Sequence, residues 1–79
     1  SVQPGYPPMA KRQGVEGDVT IEATIDATGK VGGMKVVSGP VALQQAAMDA
    51  MSMWKYEPAK LNGQPVAMQT RVTIRFKLH

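Results

Sequence analysis

The chain has 79 residues, 43% of them hydrophobic and 19% charged, with a formal net charge of +3. That length holds one domain at most, and the composition excludes a disordered tail or a collagen-like repeat. The absence of cysteine removes disulfides, thiolate metal sites and cysteine nucleophiles together.

Residues 1–8 hold Pro4, Pro7, Pro8 and Gly5, so they are predicted to run as an extended arm, because proline fixes φ and biases the residue before it away from the helical region. Residues 9–13 can add a short helical turn, with Pro8 tolerated in its first turn and Gly14 stopping it. From Gly17 the period becomes two. Val19, Ile21, Ala23 and Ile25 fall on one face, and Asp18, Thr20, Glu22, Thr24 and Asp26 on the other, the pattern of a half-buried strand. Residues 26–30 supply turn chemistry around Gly29. An apolar run then resumes from Val31 to Ser38, with Gly32 and Gly33 permitting a bulge, so the two strands should form a hairpin.

Ser38, Gly39 and Pro40 interrupt the strand and offer helix-start chemistry. Leu43, Ala46, Ala47, Ala50, Met51 and Trp54 then recur at helical spacing, with Gln44, Gln45, Asp49 and Ser52 opposite them. Pro58 stops any helix before it, and Asn62, Gly63, Gln64 and Pro65 mark a tight turn. The last segment alternates most clearly: Val66, Met68, Thr70, Val72, Ile74, Phe76 and Leu78 against Gln69, Arg71, Thr73, Arg75 and Lys77. The expected order is helix, strand, strand, helix, strand, an α+β domain with two helices packed on one face of a three-stranded sheet. A right-handed crossover gives the spatial order 2-1-3, leaving the last strand on an edge.

Charge is distributed unevenly. Residues 1–57 carry five bases and all six acids, a net of −1, whereas residues 58–79 carry Lys60, Arg71, Arg75 and Lys77 and no acid, a net of +4. An edge strand so charged is either protected against aggregation or built to accept another extended chain. No long charge-free stretch is apolar, since residues 36–48 contain Ser38, Gly39, Pro40, Gln44 and Gln45; neither a membrane-spanning helix nor a signal h-region is expected within the chain.

Several segments at their separations resemble the C-terminal domain of the TonB family, energy transducers of Gram-negative bacteria. They are Tyr6-Pro7 followed by Ala10, Val15-Glu16-Gly17-x-Val19, Asp26-x-x-Gly29-x-Val31, Val36-Val37-Ser38, Leu43-x-x-Ala46-Ala47, Trp54-Lys55-Tyr56-x-Pro58-Ala59, Asn62-Gly63-x-Pro65-Val66 and Ile74-x-Phe76-x-Leu78. They follow in family order over nearly the whole chain, so residues 1–79 form a single domain of this type on that reading. The resemblance implies two helices on a three-stranded sheet, and a periplasmic location in a protein anchored to the inner membrane and driven by ExbB and ExbD. It also implies binding of the TonB box, a short extended segment of an outer-membrane transporter, by strand addition, which couples proton-motive force to nutrient uptake. Neither membrane anchor nor proline-rich spacer lies within these residues.

The residues implicated are Gln69, Thr70, Arg71, Val72, Thr73, Ile74, Arg75 and Lys77 of the last strand, through their backbone, and Gln3, Tyr6 and Pro7 of the arm. Met9 and Gly14 stand where family members can carry basic residues after the Tyr-Pro, which weakens the case for arm contacts to the transporter plug. A TonB-like interaction or sensory module on another parent chain is the alternative from a different class, and an exposed last strand can also pair with a second copy of itself, as a homodimer of the fragment.

Other chemistries find little material. A basic nucleic-acid-binding domain is the second, less favoured alternative: the basic strand face lacks the aromatic residues that nucleic-acid-binding sheets use for stacking, so no nucleic-acid partner is expected. Met48, Met51 and Met53 raise a Cu(I) site, but Met53 is off the helical face of the other two and the only histidine is His79, so a core role is favoured and no metal or other cofactor is expected. Trp54 and Tyr56 read as core aromatics at a helix end. Residues 29–33 lack the spacing of a phosphate loop. The serines have no histidine base, and Asp18, Glu22 and Asp26 alternate onto one strand face, so no enzyme activity is expected.

Overall fold

Alternation is the organising feature of the computed structural model, which describes residues 4–79. Strand β1, Gly17–Ile25, buries Val19, Ile21, Ala23 and Ile25 and turns its polar residues outward. It is the central strand. On one side lies β2, Val31–Ser38, and on the other β5, Met68–Phe76, giving the order β2-β1-β5 with both pairings antiparallel. This is the predicted 2-1-3 order, and the last strand lies on an edge.

The two flanking strands pair differently. Between β1 and β5 nine consecutive residue pairs run without interruption from Gly17↔Phe76 to Ile25↔Met68. Between β1 and β2 the register shifts twice, once around Val37 and once around Gly33 and Met34. Gly33 takes φ 56°, so the predicted Gly32-Gly33 bulge is present. The β1–β2 turn is closed by Asp26, whose carboxylate accepts from the Thr28 N–H (2.8 Å), the Thr28 hydroxyl (2.6 Å) and the Lys30 N–H (3.0 Å).

The helices cover one face. α1, Pro8–Arg12, buries Ala10; α2, Val41–Ser52, buries Leu43, Ala47, Ala50 and Met51, and packs chiefly on β1 and β2. Ala10, Leu43, Ala47, Met51, the inward row of β1, Val31, Ile74 and Phe76 form one core, with Trp54 and Tyr56 packed against it. Ser38 ends β2 rather than capping the helix: Pro40 occupies the N-cap position with no side-chain cap, and the Gln44 amide donates back to the Gly39 carbonyl (2.9 Å). α2 also stops earlier than its periodicity predicted, because Met53 N–H and Trp54 N–H reach back three residues to Ala50 and Met51, a tightening that closes the helix before Trp54.

One element is added to the predicted order. The tight turn at 62–65 is the tip of a small hairpin, β3 Ala59–Leu61 and β4 Gln64–Val66, so the last strand enters the main sheet at Met68 rather than Val66. Asn62 (φ 52°) and Gly63 (φ 80°) form its two-residue turn, the left-handed pair that matches the twist of flanking strands.

Candidate functional site

A sheet with two edges offers two places for an added strand, and they are not equivalent. The outer edge of β2 is kinked by two bulges, which break the regular spacing of donors and acceptors. β5 keeps an unbroken register with β1, and its other side pairs with nothing among the described residues. It therefore presents a regular row of N–H and C=O groups, the part of a sheet that can template another chain.

The side chains of β5 divide between the two faces. Ile74 is buried, and Thr70 and Val72 are half-buried, on the helix side; Gln69, Arg71, Thr73 and Arg75 are exposed on the open side, with Lys77 just beyond the strand also exposed. On the open side they meet partners from β1. Arg71 Nη2 lies 2.9 Å from Glu22 Oε2, Arg75 Nε lies 3.2 Å from Asp18 Oδ1, and the hydroxyls of Thr73 and Thr20 are 2.9 Å apart. The hydrogen bond from Arg71, with its charge, holds the Glu22 carboxyl below the usual carboxylate range. Two of the four positive charges at the end of the chain, Arg71 and Arg75, are thus offset across the sheet, while Lys77 has no ion pair among the described residues. All four aromatic side chains pack in or against the core, on the opposite face. The open face accordingly has hydrogen-bonding and charged groups but no stacking platform.

Of the arm residues, Tyr6 and Pro7 are described and lie against the body of the domain. Gln3 lies outside the described residues. Pro7 precedes α1, its carbonyl accepting from Lys11 N–H (2.9 Å). Tyr6 is half-buried: its ring meets Phe76 edge-to-face at 5.6 Å and 84°, and its hydroxyl donates to the carbonyl of Val15. Desolvation first, then the nearby negative charge of Glu16, raises the Tyr6 hydroxyl above its ordinary pKa and keeps it a donor. The Glu16 carboxylate in turn accepts from the Leu78 N–H at 3.0 Å. The arm, the approach to β1 and the end of β5 therefore meet at one place. Sequence reasoning singled out Tyr6 but missed Glu16 and Phe76 as its neighbours; only the pairing of Gly17 with Phe76 brings residues so distant in the chain together.

Met51 is fully buried and Met48 packs against the core, while Met53 is 62% exposed, an arrangement that matches gap-filling rather than shared ligation. No group of three or more His, Asp or Glu side chains is arranged to hold a metal ion among the described residues. No helix among them is long and apolar enough to cross a membrane.

Comparison with known proteins gives a consistent picture. The family described as Gram-negative bacterial TonB protein C-terminal matches residues 2–78. Protein TonB of Vibrio cholerae is 43% identical over 98% of this chain, and Protein TonB of Xanthomonas campestris 41% identical over 96%. The chain spans about a third of the length of these relatives, 32% and 35%. Among solved structures, the solution NMR structure of the Pseudomonas aeruginosa TonB CTD superposes with a TM-score of 0.79 at 30% identity, covering 98% of this chain and 80% of that one. The TonB2 protein of Vibrio anguillarum superposes with a TM-score of 0.63 at 34% identity, covering 99% and 78%.

Proposed function

Because this chain belongs to the family of Gram-negative bacterial TonB protein C-terminal domains, we propose that it captures the TonB box of an outer-membrane transporter by adding it as a strand to the outer edge of β5. TonB proteins are energy transducers of the Gram-negative envelope, a transport family rather than a class of enzymes. The residues that carry the contact are Gln69, Thr70, Arg71, Val72, Thr73, Ile74, Arg75 and Lys77, mainly through their main chain. In the periplasm, a parent protein anchored in the inner membrane and worked by ExbB and ExbD would then pull on the transporter through this strand.

The observation that carries the reading is the contrast between the edges: nine uninterrupted pairs behind β5 against two register shifts behind β2. Backbone pairing suits a contact under tension, because load along a strand is shared among several hydrogen bonds of about 0.5–1.5 kcal/mol net each. It also places little demand on partner sequence, which allows one transducer to serve several transporters. The test is an NMR titration of the isotope-labelled domain with short synthetic TonB-box peptides. Saturable shifts confined to β5, with the amides of β2 unmoved, are expected. Shifts on β2, or none at millimolar peptide, would sink the assignment.

A further inference from the structure

The end of β5 is the most buried part of the proposed docking edge, with Ile74 and Phe76 in the core, but the two helices and the facing strand do not account for that burial alone. α2 packs chiefly over β1 and β2, and the residue paired with Phe76 across the sheet is Gly17, which has no side chain to pack beside it. Yet Phe76 is only 3% exposed. An aromatic packing partner comes from the arm, where the Tyr6 ring lies edge-on to it. The same tyrosine is fastened through its hydroxyl to the Val15 carbonyl, and the next residue, Glu16, holds the Leu78 N–H just past the strand. Ring, hydroxyl and carboxylate thus close a clasp around the last residues of β5.

We propose that Tyr6 is a positioning residue for strand addition: it holds the end of β5, around Ile74 and Phe76, in register as a template, and affects the partner through that strand without touching it. This rests on the strand-addition reading above. A strand end that is released part of the time is a template only for the remaining time, and apparent affinity falls by the fraction competent: formed a tenth of the time, it binds about tenfold more weakly. The phenolic O–H is donated to Val15 and is not available as a donor to a partner, so a contact role and a positioning role make different forecasts.

The experiment compares the domain with its Tyr6→Ala and Tyr6→Phe variants in two measurements, amide hydrogen exchange of the free protein and titration with a synthetic TonB-box peptide. In Tyr6→Ala, exchange at Ile74, Phe76 and Leu78 should accelerate roughly tenfold more than at Ile21 and Ile25, since local opening is freed while the central strand stays protected. Peptide affinity should weaken by a similar factor, with the shifts of Gln69 and Arg71 retained and those of Arg75 and Lys77 reduced. Tyr6→Phe, which keeps the ring on Phe76, should lose less than about threefold in both. Should Tyr6→Ala fail to fold, Phe76→Leu tests the clasp from its other side by the same two readings.

Weakened binding with unchanged exchange at the strand end would overturn the proposal and make Tyr6 a direct contact. A uniform rise in exchange throughout the sheet would also overturn it, leaving Tyr6 a general stabiliser. If the unsubstituted domain bound no peptide, the strand-addition reading would fall, and the exchange data alone would still decide whether the clasp exists.

Discussion

Gly29 shows how a single atom can decide this fold. Its φ of 86° is left-handed, and a Cβ there would stand 2.0 Å from the Tyr56 carbonyl oxygen, in a place where the Gly29 carbonyl already accepts from Tyr56 N–H (2.9 Å). The turn and the 54–56 segment must therefore separate if any side chain is added. Gly29→Ala should destabilise the domain by about 3 kcal/mol or more, measured by urea unfolding; a loss below about 1 kcal/mol would show that the turn yields freely. Beside it, hydrogen bonds from the Thr28 hydroxyl, then from the backbone of Lys30 and Thr28, hold the Asp26 carboxyl below its ordinary range, as Arg71 holds Glu22. For carboxyls lowered in the folded state the sign is fixed: their contribution is complete above the unfolded value, near pH 4, and is lost as pH falls through the folded values. Stability should thus be flat through neutral pH and fall below about pH 4, and Asp26→Asn should flatten part of that acid limb. A limb unchanged in Asp26→Asn would remove the residue from the account. The turn residues were legible from composition, but not the contact with Tyr56, which depends on where the chain returns after α2.

At the scale of elements, the strands with long alternation were readable and the short ones were not. β1 and β5 each offer nine residues in which burial follows period two, enough to fix which side faces the core. β3 and β4 have three residues each, too few for any period, so only their Asn-Gly turn was visible. Parity also does not give register. Arg71 and Arg75 were assigned correctly to the polar face, but their pairing with Glu22 and Asp18 follows from an alignment that a two-residue slip would alter without changing any face. The open-face charge was therefore overestimated from the sequence. The small hairpin allows a separate test. Gly63 has φ 80° with open space around its Cβ direction, so Gly63→Ala strains the turn without a clash, by about 1 kcal/mol. Chemical shifts of residues 59–66 should lose their strand character while the melting temperature of the main sheet moves by only a few degrees. A collapse of the whole domain would mean that the hairpin supports the sheet.

For the molecule as a whole, the free edge of β5 is open to two occupants, a partner strand or a second copy of the chain. If both use that edge they compete. Sedimentation at rising protein concentration should reveal a weak dimer that a saturating TonB-box peptide dissolves; a dimer indifferent to peptide would have another interface. The family, the class of fold and the edge position of β5 were all legible in the chain, because they rest on local patterns repeated over many residues. The clasp was not, because it joins Tyr6 to Phe76, residues whose proximity exists only after the sheet closes. That closure has a temporal side. The central strand forms early in the chain and acquires its second neighbour from the far end, with Asp18 meeting Arg75 across 57 positions. Such distant pairing is slow to form, since loop closure precedes the contacts that reward it. Until residues 68–76 have emerged, β1 lacks its neighbour on that side, and its unpaired N–H and C=O groups there stand open beside the apolar row of Val19, Ile21, Ala23 and Ile25. A chain ending before Met68 should accordingly be an aggregation hazard rather than a weaker binder, so that β5 acts as a chaperone to its own sheet before it can serve any other protein.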